Sequence, residues 1–263
     1  MLTYRIKGDG MPVVCVPGGM LPATYLGDLG GLPGRLILVD PRGSDGQGDP
    51  ESWRCDRQVA ELEAVREHLG LERMTLLAHS AGASLVTQYV VQHPERIARL
   101  VLVTPSPSSV GIQLTAERRR RVLELRKDEP WYDEVAAAFE ALQTGGDVER
   151  SALNPIGYAR WDEEAQAQQA FEDGLAVPGA LGAYYADGAF DPVETRAALG
   201  RLDVPVLVIA GALDLALDAA AGAEFAGLFP RGEAVVLEGA AHHPWLDERD
   251  AFVGTVERFL TTG

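Results

Sequence analysis

The sequence predicts a doubly wound α/β fold, in which a mostly parallel sheet carries helices on both faces and a helical cap is inserted late in the chain. Three observations predict it. Short, nearly continuous aliphatic runs recur along the chain, amphipathic helical patterns lie between them, and this rhythm stops over one long span, 105–200.

The runs can be taken in order. Residues 2–7 alternate as an opening strand, and Gly8-Asp9-Gly10 is a tight turn. Pro12-Val13-Val14-Cys15-Val16 follows and ends in Pro17-Gly18-Gly19, and Arg35-Leu36-Ile37-Leu38-Val39 ends at Asp40. Residues 74–78, 99–103, 205–210 and 234–237 complete the set. Such runs suit strands covered on both faces. Between them, residues 56–69 place Val59, Leu62, Val65, Arg66 and Leu69 on one side of a helix. Residues 81–92 are helical in pattern, and 247–260 gather Phe252, Val256 and Phe259 on one face. The span 105–200 has no convincing strand but many Ala/Glu/Gln-rich helical stretches and aromatics. Residues 1–104 and 201–263 are therefore expected to form the core, with 105–200 as a mostly helical cap over the carboxyl edge of the sheet.

A chain of 263 residues is long enough for one large hydrophobic core. Its net charge of -16 repels phosphate backbones and anionic headgroups, so neither nucleic acid nor membrane is an expected partner. No run approaches the length of a membrane span. The opening Met-Leu-Thr-Tyr-Arg-Ile-Lys lacks the apolar segment of a secretory signal, so a cytoplasmic location is expected. Cys15 sits in an apolar run as a core thiol. Neither it nor Cys55 has a metal-ligand partner at short spacing, and no structural disulfide is indicated. No metal site is therefore expected. The sequence carries no signal for an oligomeric state.

The sharpest local feature is Leu76-Leu77-Ala78-His79-Ser80-Ala81-Gly82-Ala83, which leaves an apolar strand and enters a helix. A strand–turn–helix elbow needs small residues two before and two after the serine, and Ala78 and Gly82 satisfy this. The Ser80 hydroxyl then projects from the sheet edge, although a serine there is equally able to cap a helix. A nucleophilic serine needs a base, and the base needs an orienting acid. Asp214 comes directly off the strand at 205–210, with Asp218 as a nearby competitor. His242 lies in Gly239-Ala240-Ala241-His242-His243-Pro244, after the last strand, with His243 as the alternative base. His79 is expected beneath the elbow, and His68 and His93 in structural roles. An oxyanion hole requires two backbone donors. Ala81 and Gly19, in the Pro17-Gly18-Gly19-Met20 loop, are the candidates. The G-x-G-x-x-G fingerprint is absent, and triad chemistry needs no cofactor.

Together these segments resemble the α/β-hydrolase superfamily over nearly the whole chain, and most of all its proline-iminopeptidase-like and small-esterase branches. Asp40-Pro41-Arg42-Gly43-Ser44 resembles that family's Asp-x-Arg-Gly loop, and Ala78-His79-Ser80-Ala81-Gly82 its Gly-x-Ser-x-Gly elbow. Gly211-x-x-Asp214 and Gly239-x-x-His242 resemble its acid and histidine segments. The chain departs from the pattern at Ala78, Ala83, Pro17 and Ala241, none of which removes a triad group. A serine at position 80 argues against relatives that use an aspartate nucleophile. The resemblance implies an α/β-hydrolase fold and a serine hydrolase cleaving a small-molecule ester or amide through an acyl-enzyme, with Arg42 ordering loops rather than doing chemistry. Proline iminopeptidases hold the substrate's amino group with acidic cap residues. Trp161-Asp162-Glu163-Glu164 and Phe171-Glu172-Asp173 are the corresponding acids here, or simply a solvated helix face. Met20, Trp161, Tyr184, Tyr185 and Trp245 are candidate pocket residues. Esterase, thioesterase, lactonase, acyl-transfer and cyclisation chemistry share this machinery, and a non-catalytic binding protein is the rival reading.

Overall fold

The computed structural model describes residues 3–262. Seven strands form one sheet: β1 (Thr3–Lys7), β2 (Pro12–Val16), β3 (Arg35–Asp40), β4 (Met74–His79), β5 (Ile97–Val103), β6 (Val206–Gly211) and β7 (Gly232–Leu237). Their order is β1-β3-β2-β4-β5-β6-β7, with β1 antiparallel to β3 and every other pair parallel. Each expected run holds a strand, except that Leu2, expected to open the first, lies outside the described residues and Pro205 falls just before β6.

Ten α-helices, alongside short 3₁₀ helices, lie among the described residues. They are α1 (Cys55–His68), α2 (Gly82–Gln92), α3 (Ala116–Glu124), α4 (Tyr132–Gln143), α5 (Glu163–Leu175), α6 (Ala180–Tyr184), α7 (Pro192–Leu199), α8 (Ala219–Ala226), α9 (Pro244–Asp247) and α10 (Arg249–Thr261).

The pleat sends alternate residues to two separate cores. Val14, Val16, Leu76, Ala78, Leu100, Leu102, Val206 and Val208 face one side, with Val59, Leu62, Val86 and Phe225 from α1, α2 and α8. Val13, Cys15, Leu77, Val101, Val103, Leu207 and Ile209 face the other, with Tyr25, Trp245, Phe252 and Val256. Central strands covered on both sides have no polar face, which is why their sequence shows continuous apolar runs rather than alternation.

The stretch between β5 and β6 holds only helical elements and forms the cap. It has its own small core, in which Val122, Leu123, Val135 and Phe139 pack with Leu215, the residue after Asp214. Buried Arg126 ties this cap together: its guanidinium donates to the carbonyls of Pro155, Tyr158 and Ala159 and stacks 4.4 Å from the Trp131 ring centre. The last part of the stretch rejoins the main layers, where Gln88 of α2 donates to Thr195 of α7. Cys15 and Cys55 are buried free thiols, and burial pushes Cys15 up to about 12.

Candidate active site

Ser80 sits at the end of β4 with a φ of 49°, a left-handed backbone that L-residues adopt only under constraint. The constraint is steric. A Cβ on Gly82 would stand 2.4 Å from the Pro17 carbonyl oxygen, so the first turn of α2 has to pack bare against the end of β2. Gly18 is as tightly bound, since a Cβ there would meet the Ser80 Cβ at 2.7 Å. The Ser80 N–H donates to the Val103 carbonyl and its own carbonyl accepts from Ser106, which holds the turn from both sides.

The elbow aims Ser80 Oγ at His242 Nε2, 2.9 Å away. The other ring nitrogen, Nδ1, is 2.9 Å from Asp214 Oδ2. Asp214 is buried, and its second oxygen accepts from the Ala216 N–H, which fixes the carboxylate plane. An Asp on Nδ1 requires the proton there, leaving Nε2 free to accept from the serine. Asp218, the competitor, is engaged elsewhere: it caps α8 through Ala221 N–H and pairs with Arg118 of α3. The described structure thus brings Ser80, His242 and Asp214 into the hydrogen-bonded series of a serine hydrolase.

His79 and Tyr25 brace this series from below. His79 Nε2 lies 2.9 Å from the His242 carbonyl, and its Nδ1 lies 2.6 Å from the Tyr25 hydroxyl. The carbonyl can only accept, so Nε2 carries the proton and Tyr25 donates to Nδ1. The Tyr25 oxygen in turn accepts from the Gly18 N–H at 2.7 Å. One chain of hydrogen bonds therefore runs from the glycine loop to the backbone of His242. Burial first, and the neighbouring imidazoles second, hold His79 well below the ordinary histidine range, so it is neutral. Tyr25 carries no local sequence signal: its role depends on a 3₁₀ turn, Ala23–Leu26, that Asp40 holds by accepting from the Ala23 N–H.

The N–H groups of Gly19 and Ala81 have no acceptor among the described residues. Gly19 lines the cavity above Ser80, and Ala81 directly follows the nucleophile.

His243 is not the base. It is buried, its Nδ1 donates to the Gly157 carbonyl at 3.0 Å and its Nε2 lies 3.3 Å from Glu172 of α5. Its ring stacks on Tyr158 with centroids 4.6 Å apart. Burial alone would lower its pKa, but the Glu172 hydrogen bond and charge outweigh burial and raise it. The Gly157 carbonyl also accepts from the His242 N–H. Asp247 spans the same seam, taking Ala159 N–H from the cap and Ala241 N–H from the histidine loop.

A cavity of about 360 Å³ opens over Ser80. Its apolar walls are Leu21, Leu153, Ile156 and Leu215. None of the expected pocket residues lines it. Trp245 is buried beneath the site, edge-on to His79 with centroids 4.8 Å apart. Met20 is buried in the core, where its sulfur takes the Gln58 amide. Tyr184 donates to the Ala81 carbonyl, and Tyr185 to Ser106 Oγ. Trp161 packs beside Tyr158 on the cap. These side chains gain more by filling the layers around the site than by facing a solvent-filled cleft. Leu153 and Ile156 come from a 3₁₀ helix, Arg150–Gly157, whose apolar residues were hidden in a segment with no regular periodicity. Arg42 pairs with Glu61 of α1, away from the chemistry.

The family profile for the alpha/beta hydrolase fold matches residues 34–249. The chain belongs to that family. It is similar to a protein of the same superfamily from Bacillus subtilis, 23% identical over 98% of this chain and 95% of the relative. It is also similar to a proline iminopeptidase from Heyndrickxia coagulans, 25% identical over 97% of this chain and 92% of that enzyme. An esterase structure from a Rhodococcus species superposes with a TM-score of 0.75 at 23% identity, covering 99% of this chain and 94% of the other. No helix among the described residues is long and apolar enough to cross a membrane.

Proposed function

We propose that this α/β-hydrolase is a carboxylic-ester hydrolase for small molecules, with Ser80 as nucleophile. The observation that carries the reading is Ser80 Oγ at 2.9 Å from a histidine that a buried aspartate orients, on the floor of an apolar-walled cavity. His242 takes the hydroxyl proton as Ser80 attacks the ester carbonyl. The Gly19 and Ala81 amides receive the oxyanion, each contributing about 3–4 kcal/mol to the transition state. His242 then returns the proton to the leaving alcohol, and a water activated by the same nitrogen hydrolyses the acyl-enzyme.

An amine-anchored peptidase would need a free carboxylate in the cleft. Glu172 is the acidic cap residue that lines it, but this carboxylate is shared with His243 and Gln168. Asp162 is bound to the Ala165 N–H as the cap of α5. Their engagement supports esters over free-amine peptides. The buried free thiols and the net charge of -16 support a cytoplasmic enzyme acting on dissolved substrates.

A fluorophosphonate probe read by intact mass tests the nucleophile. Wild type should gain one adduct and Ser80→Ala none. A folded wild-type protein that stays unlabelled beside a reactive control hydrolase would favour a non-catalytic binding role.

A further inference from the structure

Carboxylates outnumber cationic side chains in this chain by 39 to 23. Arg150 is exposed, and its side chain makes no hydrogen bond or ion pair with any described residue. It lies at the start of the 3₁₀ helix Arg150–Gly157 and lines the cavity over Ser80. It also lines an adjoining recess of about 390 Å³, which shares Gly19, Leu21, Asn154 and Glu172 with that cavity. The two spaces therefore form one cleft that leads from Ser80 outward past Arg150.

Two of the carboxylates in this cleft are bonded to histidines, Asp214 to His242 and Glu172 to His243. Asp173 faces only the outer recess and receives the Gln169 amide. Asn154, one turn along the same helix and lining both spaces, has no side-chain partner among the described residues either. The cleft thus holds a guanidinium without an ion-pair partner and a free carboxamide, with apolar side chains and the nucleophile at its inner end.

We infer that the site selects esters carrying a carboxylate remote from the scissile bond, and that Arg150, helped by Asn154, binds that carboxylate. This inference rests on the ester-hydrolase reading. Planar guanidinium and carboxylate match in shape and charge, and a guanidinium is more weakly hydrated than an ammonium, so the pairing carries over into a half-apolar cleft. The apolar walls between the two ends accommodate a short methylene chain. In a protein this acidic, an uncompensated surface repels anionic substrates, and a local cation at the cleft mouth offsets that repulsion where the substrate enters.

The test compares monoethyl glutarate and monoethyl adipate with ethyl pentanoate and ethyl hexanoate in a pH-stat, and repeats the comparison with the carboxylate placed on the alcohol side. In wild type, the kcat/KM of the charged ester should exceed that of its neutral counterpart by roughly tenfold or more in at least one placement. Arg150→Gln should collapse this ratio to about one, and Arg150→Glu should invert it; a neutral-ester preference in wild type, or a ratio that Arg150→Gln leaves intact, overturns the inference. A second readout does not depend on turnover. Monoethyl glutarate should bind the Ser80→Ala protein in calorimetry, and Ser80→Ala with Arg150→Gln should lose about tenfold in affinity. Binding that Arg150→Gln does not weaken overturns the inference whatever the catalytic result. Labelling of Ser80 with no carboxylate preference would defeat this inference alone, whereas a folded, unlabelled protein that still binds monoethyl glutarate through Arg150 would defeat the hydrolase reading alone.

Discussion

His243 Nε2 lies 3.3 Å from the Glu172 carboxylate, so the residue beside the catalytic base is ion-paired to the cap. Nδ1 donates to the Gly157 carbonyl, and the Glu172 hydrogen bond and charge favour a proton on Nε2 as well, which raises the pKa of the ring. Removing the partner charge takes away the main raising influence and leaves burial, which lowers the pKa, opposed by the Gly157 hydrogen bond and the Asp247 charge. In Glu172→Gln the His243 resonance should therefore titrate at lower pH than in wild type, measured by proton NMR of the imidazole Cε1–H. An unchanged midpoint would mean that the carboxylate does not hold the proton there.

The same pair sets a pH window for stability. His243 is raised above its unfolded value, so its contribution is complete below the ordinary histidine pKa of about 6.5 and is lost as pH rises through the folded value. Glu172 is the opposite case. Burial works to raise its pKa, but bonding to His243 and Gln168 lowers it overall, so its contribution is complete above the ordinary pKa of about 4.3 and is lost as pH falls through the folded value. Wild type should lose stability on the alkaline side of this window, and Glu172→Gln should show a flatter profile there. Urea unfolding at a series of pH values measures both.

Tyr25→Phe deletes one oxygen and strands two buried groups, the Gly18 N–H and His79 Nδ1. Leaving a buried polar group unsatisfied costs about 1–3 kcal/mol. The variant should unfold at lower urea by about 2 kcal/mol or more. Its kcat should also fall, because Gly18 precedes the proposed oxyanion donor and His79 holds the His242 carbonyl. Denaturation and ester kinetics on one preparation separate the two effects.

Asp214→Asn keeps the shape of the acid but cannot receive the His242 Nδ1 proton in the same way. The ring then favours the tautomer with Nε2 protonated, which cannot deprotonate Ser80. A loss of kcat of about 10⁴ is expected, by analogy with other triads. Ester turnover checks it, and circular dichroism confirms that the fold is kept. A loss smaller than tenfold would mean that another group orients His242.

Legibility in the sequence followed the range of the interaction. The strands and the elbow were readable because burial on two faces and a tight turn impose composition on neighbouring residues. Ser80, Asp214 and His242 were found because each stands at the end of a readable strand or just beyond one. The pocket was not. Tyr184 was expected to line it as a cap aromatic and Trp245 for its place just after the histidine loop, and both are buried as structural supports. Its walls come from Leu153 and Ile156, in a 3₁₀ segment whose spacing matches neither a strand nor an α-helix. His243 and Glu172 are 71 positions apart, and only the folded cap brings them together.

The elbow itself offers a cleaner test of stored strain. Ser80 adopts a φ of 49°, where an L-side chain costs about 1–2 kcal/mol that glycine avoids. Ser80→Ala and Ser80→Gly both delete the hydroxyl and its bond to His242, so the difference between them isolates the backbone. Glycine gives back part of its advantage through its freer unfolded chain. If the strain is real, Ser80→Gly should still be the more stable of the two inactive variants, by about 0.5–1 kcal/mol in chemical denaturation. Equal or reversed stabilities would mean that the packing of Gly18 and Gly82, rather than any tension at Ser80, accounts for the turn.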